Sequence, residues 1–210
     1  MDLLQQCAFA FKQLLSIEYH FTIGRKGKSR SFILNFDPAD FHHLAGLHKI
    51  KDNARFFAGK RSDIFQEILA GQLTYKQVAR SNYFSEMKER LTPLSQLESF
   101  LDQNQIIFHY NEKANKFSLI KADYLLTNQL EAIPLYLFLS QRTDSHKQVC
   151  RTFFPKDKLD YTIGQPHYAL LKKEKINTHT EECIIQDTLY HLQHHLKSSS
   201  ITRHAASRLK

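Results

Sequence analysis

One feature constrains the fold of this chain more than any other: its hydrophobic period changes partway along. Residues 3–17 put Leu3, Leu4, Cys7, Phe11, Leu14 and Leu15 on one stripe at helical spacing. From about residue 106 the period becomes two. Segments 106–110, 117–126, 133–139, 149–154 and 167–173 have strand length and strand composition. Segment 181–196 returns to helical spacing, with Cys183, Ile184, Leu189 and Leu192 on its apolar face. Helices, then strands, then one helix predict an α+β fold: N-terminal helices packed on an antiparallel β-sheet, with a C-terminal helix.

Local signals fill in this frame. Residues 19–23 and 31–36 alternate around Gly24-Arg25-Lys26-Gly27-Lys28, which predicts a hairpin with a cationic tip. Asp37-Pro38 has the form of a helix N-cap followed by proline at the first helical position. The stretch 52–103 predicts an insertion of short helices, with Ser62 or Asp63 capping one, Gly71 ending it, Thr74 capping the next and Pro93 opening another. Residues 111–116 form a plausible loop between two strands. One domain over 1–196 and a disordered tail over 197–210 complete the reading.

The 16 Phe and 9 Tyr supply ample apolar bulk for a core. No apolar run approaches the roughly 20 residues of a membrane span. Cys7, Cys150 and Cys183 are odd in number and widely spaced, so they suggest buried small side chains in a reducing cytoplasm, not a disulfide framework.

The net charge of +8 is clustered. Arg25, Lys26, Lys28 and Arg30 lie within seven acid-free residues, and Lys197, Arg203, Arg208 and Lys210 occupy an acid-free tail. Segment 147–175 holds seven bases against three acids, while 91–146 holds six acids against four bases. Clustered cations suit a polyanionic partner, although a merely soluble basic surface would look the same.

Nucleotide-binding glycine motifs, a G-x-S-x-G elbow and paired carboxylates at metal-site spacing are all absent. His191, His194 and His195 could meet on one helical face, but no cysteine or carboxylate completes a zinc set, and histidines near a helix C-terminus are favoured by the dipole. No metal or cofactor is expected.

RNA can be cleaved without either. A base takes the 2′-hydroxyl proton, cations steady the phosphate, and an acid protonates the departing 5′-oxygen. Imidazole suits either proton role. In Asp40-Phe41-His42-His43-Leu44-Ala45-Gly46-Leu47-His48, His42 and His43 cannot share a helix face. His43 falls at the edge of the apolar stripe, where a helix can present a side chain to a cleft; a backbone carbonyl could equally satisfy it. Lys121 sits among apolar neighbours in an expected strand, an unusual place for an ammonium unless it guards a sheet edge. Tyr161, Thr162 and Gln165 precede the strand that carries Lys172 and Lys173 and could line a phosphate site.

These pieces carry a resemblance. Residues 41–47 (F-H-H-L-A-G-L), 120–124 (I-K-A-D-Y), 153–156 (F-F-P-K), 160–162 (D-Y-T) and 170–177 (L-L-K-K-E-K-I-N) together resemble the phage- and mobile-element-associated barnase–EndoU–colicin E5/D–RelE-like (BECR-fold) nuclease domains. More narrowly they are similar to the PBECR4-like branch, with its F-x-H-L-x-G-L helix. The likeness runs over about residues 15–178. It implies a metal-independent ribonuclease, toxin- or effector-like, built as helices on an antiparallel sheet. His43 matches the motif histidine, Lys121 the strand lysine and Tyr161-Thr162 the polar pair.

The expected site is therefore His43, Lys121, Tyr161, Thr162 and Lys172 for chemistry, with Arg25, Lys26, Lys28, Arg151, Gln165 and Lys173 contacting RNA. The expected partners are RNA, such as tRNA or mRNA, and an immunity protein. A non-catalytic nucleic-acid-binding module and a protein-interaction partner in a toxin or defence system are the competing readings.

Overall fold

Asp2 starts the first helix, its carboxylate accepting from the Gln5 amide at 2.9 Å. In the computed structural model, which describes residues 1–103, 106–115, 118–130 and 133–188, this helix is α1 (Leu3–Leu14). The hairpin follows as β1 (Ile17–Arg25) and β2 (Lys28–Leu34). Its two-residue turn has φ 51° at Lys26 and 75° at Gly27, the positive pair a type I′ turn requires.

Short helices come next: α2 (Asp40–Leu44), α3 (Arg55–Ala58), α4 (Arg61–Leu69), α5 (Tyr75–Val78), α6 (Ser85–Leu94) and α7 (Leu97–Gln103). Thr74 caps α5 with a full capping box. Pro93 lies in the last turn of α6 and does not open a helix, and Lys60, not Ser62 or Asp63, stands at the start of α4. Strands β3 (Ile106–His109), β4 (Tyr124–Leu130), β5 (Ile133–Gln141), β6 (Gln148–Pro155), β7 (His167–Asn177) and β8 (Cys183–Thr188) complete the described chain.

The arrangement corrects the expected fold. The strands run in the order β1-β2-β6-β5-β4-β3-β7-β8, and β1 also pairs with β7 from Ile17 to Gly24. Seven of the described strands therefore close into a barrel, with β8 as an extra strand outside the ring. This is not a set of helices laid on an open sheet. Closure satisfies the edges an open sheet would leave unpaired. The seam between β2 and β6 is one parallel pair, Leu34 with Gln148; every other pairing is antiparallel.

The expected C-terminal helix is also corrected. Residues 183–188 form β8 along β7, because the barrel leaves β7 an edge that this Ile-containing segment pairs. Cys183 is exposed, whereas Cys7 and Cys150 are buried as expected. The remainder of that helix, the three histidines 191, 194 and 195, and the tail lie outside the described residues.

The barrel wall is buried on both faces along β5. Leu135, Leu137 and Leu139 join the main core shared with the helices. Tyr136 and Phe138 join a second, outer core with Tyr110 and Leu125, packed by Phe108, Ile120, Ala122, Phe154 and Tyr161. This explains the continuous apolar run of 133–139: a strand covered on both sides does not alternate. Helix α7 closes onto several strands at once. Asp102 accepts from the Tyr19 hydroxyl on β1 at 2.6 Å, Phe100 packs edge-on against Phe153 of β6, and Lys173 of β7 donates to the Leu101 carbonyl at 3.3 Å.

Candidate functional site

Two helices and one strand build the site. In α2, Phe41 and Leu44 are buried on the core side. His42 turns inward too: it is 3% exposed and its Nε2 lies 3.1 Å from the Phe56 carbonyl. That leaves His43, one residue on and about 100° around the helix, to face outward. The chain then leaves α2 through Gly46, at φ 79°. A Cβ there would stand 2.9 Å from both Arg90 Cδ and Met87 Cβ. Only glycine lets this turn press on α6, and the turn brings His48 beside His43, with ring centroids 4.7 Å apart.

From α6, Arg90 reaches β6. It donates to Thr152 Oγ1 at 2.7 Å, and its guanidinium lies 5.3 Å from the centre of the Phe154 ring. In β6 the register slips: Phe138 faces Thr152 but Leu139 faces Cys150, so Arg151 is the extra residue of a β-bulge. The bulge turns Arg151 and Thr152, which are neighbours in sequence, into the same cleft.

The opposite wall comes from the segment before β4. Ile120 and Ala122 pack into the outer core. Alternation along this extended segment leaves Lys121 between them exposed. Lys121 is thus on a loop, not in the strand expected at 117–126, which begins only at Tyr124. Asp123 pins the segment, accepting from the Gln141 amide at 2.7 Å. Tyr161 seals the floor, its ring edge-on to Tyr136, Phe138 and Phe154.

The result is a cleft of about 530 Å³ lined by His43, His48, Lys49, Arg90, Lys121, Arg151, Thr152, Phe154 and Tyr161, with Leu119 and Ile120 on the rim. Among the described residues no carboxylate lines it. Among the described residues none of Lys49, Arg90, Lys121 or Arg151 makes an ion pair. Burial lowers the His43 pKa to about 4, helped by the charges of Arg61 and Arg151, and lowers that of His48 to about 3. Both imidazoles are therefore neutral at pH 7 and able to accept a proton. Burial pushes Arg90 down and Tyr161 up from their ordinary values.

Four of the expected residues therefore meet here: His43, Lys121, Arg151 and Tyr161. The others do not line the cleft. Thr162 donates its hydroxyl to Asp160 at 2.6 Å in a local turn, and Asp160 also takes Lys156 and Tyr136. Gln165 is buried and splints the Asn111 backbone, accepting from its amide at 2.7 Å and donating to its carbonyl at 3.2 Å. Lys172 pairs with Glu174 at 2.8 Å. Lys173, 1% exposed, holds the terminal carbonyls of α7 and cannot reach a ligand. Arg25, Lys26 and Lys28 lie at the hairpin tip, sharing no residue with the cleft.

Sequence reasoning missed His48, Lys49, Arg90, Thr152 and Phe154 as site residues. His48 had a signal, as the last imidazole of the glycine-containing motif. Arg90 had none: between Glu89 and Leu91 on a short amphipathic helix, it reads as an ordinary surface residue. Among the described residues no three His, Cys, Asp or Glu side chains are grouped to hold a metal ion, and no helix is long and apolar enough to cross a membrane.

A neutral imidazole beside unpaired cations and an aromatic floor is equipped to hold a phosphodiester and move a proton on it. In agreement, the family model described as phage-Barnase-EndoU-ColicinE5/D-RelE like nuclease 4 matches residues 3–188 of the chain. The protein belongs to this nuclease-like family. No curated protein and no solved structure matches it.

Proposed function

We propose that the protein is an endoribonuclease that works without a metal ion, with the His43 cleft as its active site. The observation that carries this reading is the grouping of a proton acceptor, neutral at pH 7, with four cations that have no carboxylate partner among the described residues.

In this mechanism RNA lies with one phosphate between Arg90, Arg151 and Lys121. His43 takes the 2′-hydroxyl proton. The 2′-oxygen forms a bond to phosphorus as the bond from phosphorus to the 5′-oxygen breaks. The products are a 2′,3′-cyclic phosphate and a 5′-hydroxyl. The leaving oxygen needs a proton, and Tyr161, Lys49 and Lys121 line the same cleft as groups able to give one. The guanidinium groups stabilise the charge that builds on the phosphoryl oxygens, and the partial burial of Arg90 strengthens its part of that interaction. An active enzyme of this kind needs a restricted substrate or an immunity protein to be tolerated by its host.

The test is purified protein with labelled tRNA or total RNA in EDTA. Wild type cuts and leaves cyclic phosphate ends; His43→Ala does not. No cutting by wild type, or equal cutting by the variant, overturns the reading. Salt-dependent binding without turnover would then favour a nucleic-acid-binding module.

A further inference from the structure

The second concentration of unpaired cations is the β1–β2 hairpin tip, and its construction is unusual. Type I′ turns favour Asn, Asp or Gly at both central positions, since both need positive φ. Here the first is Lys26, at φ 51°, so a cation stands at the apex although the backbone there favours Gly, Asn or Asp. Directly below the turn Arg25 pairs with Lys28. Like charges facing each other across a strand pair repel, a cost the free protein carries and an anion would relieve.

Two hollows flank the tip. One, of about 360 Å³, is lined by Gly24, Arg25, Lys26, Gly27, Lys28 and Ser29 with Ala169 and Leu171. The other, of about 240 Å³, is lined by Arg25, Lys26, Lys28, Arg30 and Tyr168. Among the described residues neither contains a carboxylate, and none of the four cations makes an ion pair. Tyr168, half-buried on β7, is the one aromatic side chain in this cationic pocket.

We infer that the hairpin tip is a second RNA-binding site, separate from the cleft, in which Arg25, Lys28 and Arg30 hold consecutive phosphates and Tyr168 stacks on an unpaired base. This rests on the ribonuclease reading for the kind of nucleic acid, but not for the site itself. A concave cationic pocket with a single aromatic suits a strand with bases to stack better than it suits a flat lipid surface.

The test is binding of a labelled single-stranded RNA 20-mer in the non-cutting His43→Ala background. Arg25→Gln with Lys28→Gln should weaken binding at least tenfold and lower the salt slope by about 1.4, two phosphate contacts at roughly 0.7 each. Tyr168→Leu should weaken it roughly tenfold, and that loss should vanish on an abasic strand. Circular dichroism checks that the variants keep their fold. Unchanged affinity and slope in the double variant overturns the proposal even if wild type cuts RNA. Loss of binding in a protein that never cuts leaves it standing while the ribonuclease reading falls. Equal, hairpin-dependent binding to phosphatidylserine vesicles also overturns it.

Discussion

The cleft and strand β7 are both rich in cations, yet they are built on opposite principles. On β7 each lysine of the 172–175 run is answered. Lys172 meets Glu174; Lys175 meets Glu98 at 2.8 Å and Asp102 at 2.9 Å; Lys173 meets the end of α7 and, at 3.4 Å, Asp187. In the cleft, among the described residues, no carboxylate answers Lys49, Arg90, Lys121 or Arg151. Lys49 and Arg90 are half-buried with no ion pair among the described residues, which is costly to the free protein, while Lys121 and Arg151 stand exposed beside them, open to an anionic ligand. A paired cation is explained by the fold alone. Sequence shows the β7 run far more plainly than the scattered cleft residues, and on charge alone it looks like the better binding site.

Four experiments can break or sharpen this contrast. The largest effect is expected from His43→Ala, which should lower kcat on RNA by about 10²–10⁴-fold with little change in melting temperature, because the imidazole lies at a cleft. Arg90→Met should follow, losing about 10²-fold in kcat/KM, comparable with removal of one donor to a developing oxyanion. Lys173→Met should do the reverse. Cutting should persist while stability falls by about 2 kcal/mol, a Tm shift on the order of 5 °C, because the α7 carbonyls lose their donor. If Lys173→Met instead abolishes cutting in a folded protein, the division between structural and functional cations fails. Thr162→Val should be the mildest, about 1 kcal/mol from one local hydrogen bond, with near-normal cleavage.

The pH dependence sharpens the same contrast. The folded His43 pKa, about 4, lies below its ordinary 6.5. The neutral base therefore survives to acidic pH, and kcat/KM should fall through a limb near 4, not near 6.5. Stability follows the same sign. It is fully present above 6.5 and is lost as pH falls through that range toward 4, because the unfolded histidine binds a proton that the folded one refuses. A rate limb at 6.5 in the free enzyme would show that His43 is not held neutral by burial.

Much of this was legible in the chain. The α1 stripe, the hairpin, the cluster of short helices and most strands follow from period and turn chemistry. His43 as the outward member of the His42–His43 pair follows from helical geometry. Lys121 was singled out by its oddness between Ile120 and Ala122, and its exposure has the same cause, although it lies on a loop. The β7 lysines misled because Lys173 holds the carbonyls of Leu101 and Asp102, more than 70 residues away in sequence, and Lys172 is taken by its own neighbour Glu174.

By itself the sequence determined most of the local elements and a chemistry of imidazole with cations, because each is written within a few consecutive residues. Tertiary structure alone decided three things. Barrel closure came from β1 pairing with both β2 and β7, across a helical stretch whose pattern says nothing about strand order. The entry of Arg90 and Arg151 into the cleft came from helix packing and a one-residue bulge. The pairing of Lys175 came from Glu98 and Asp102, carboxylates that only the fold brings near, since that pairing is set by distance in space and not along the chain.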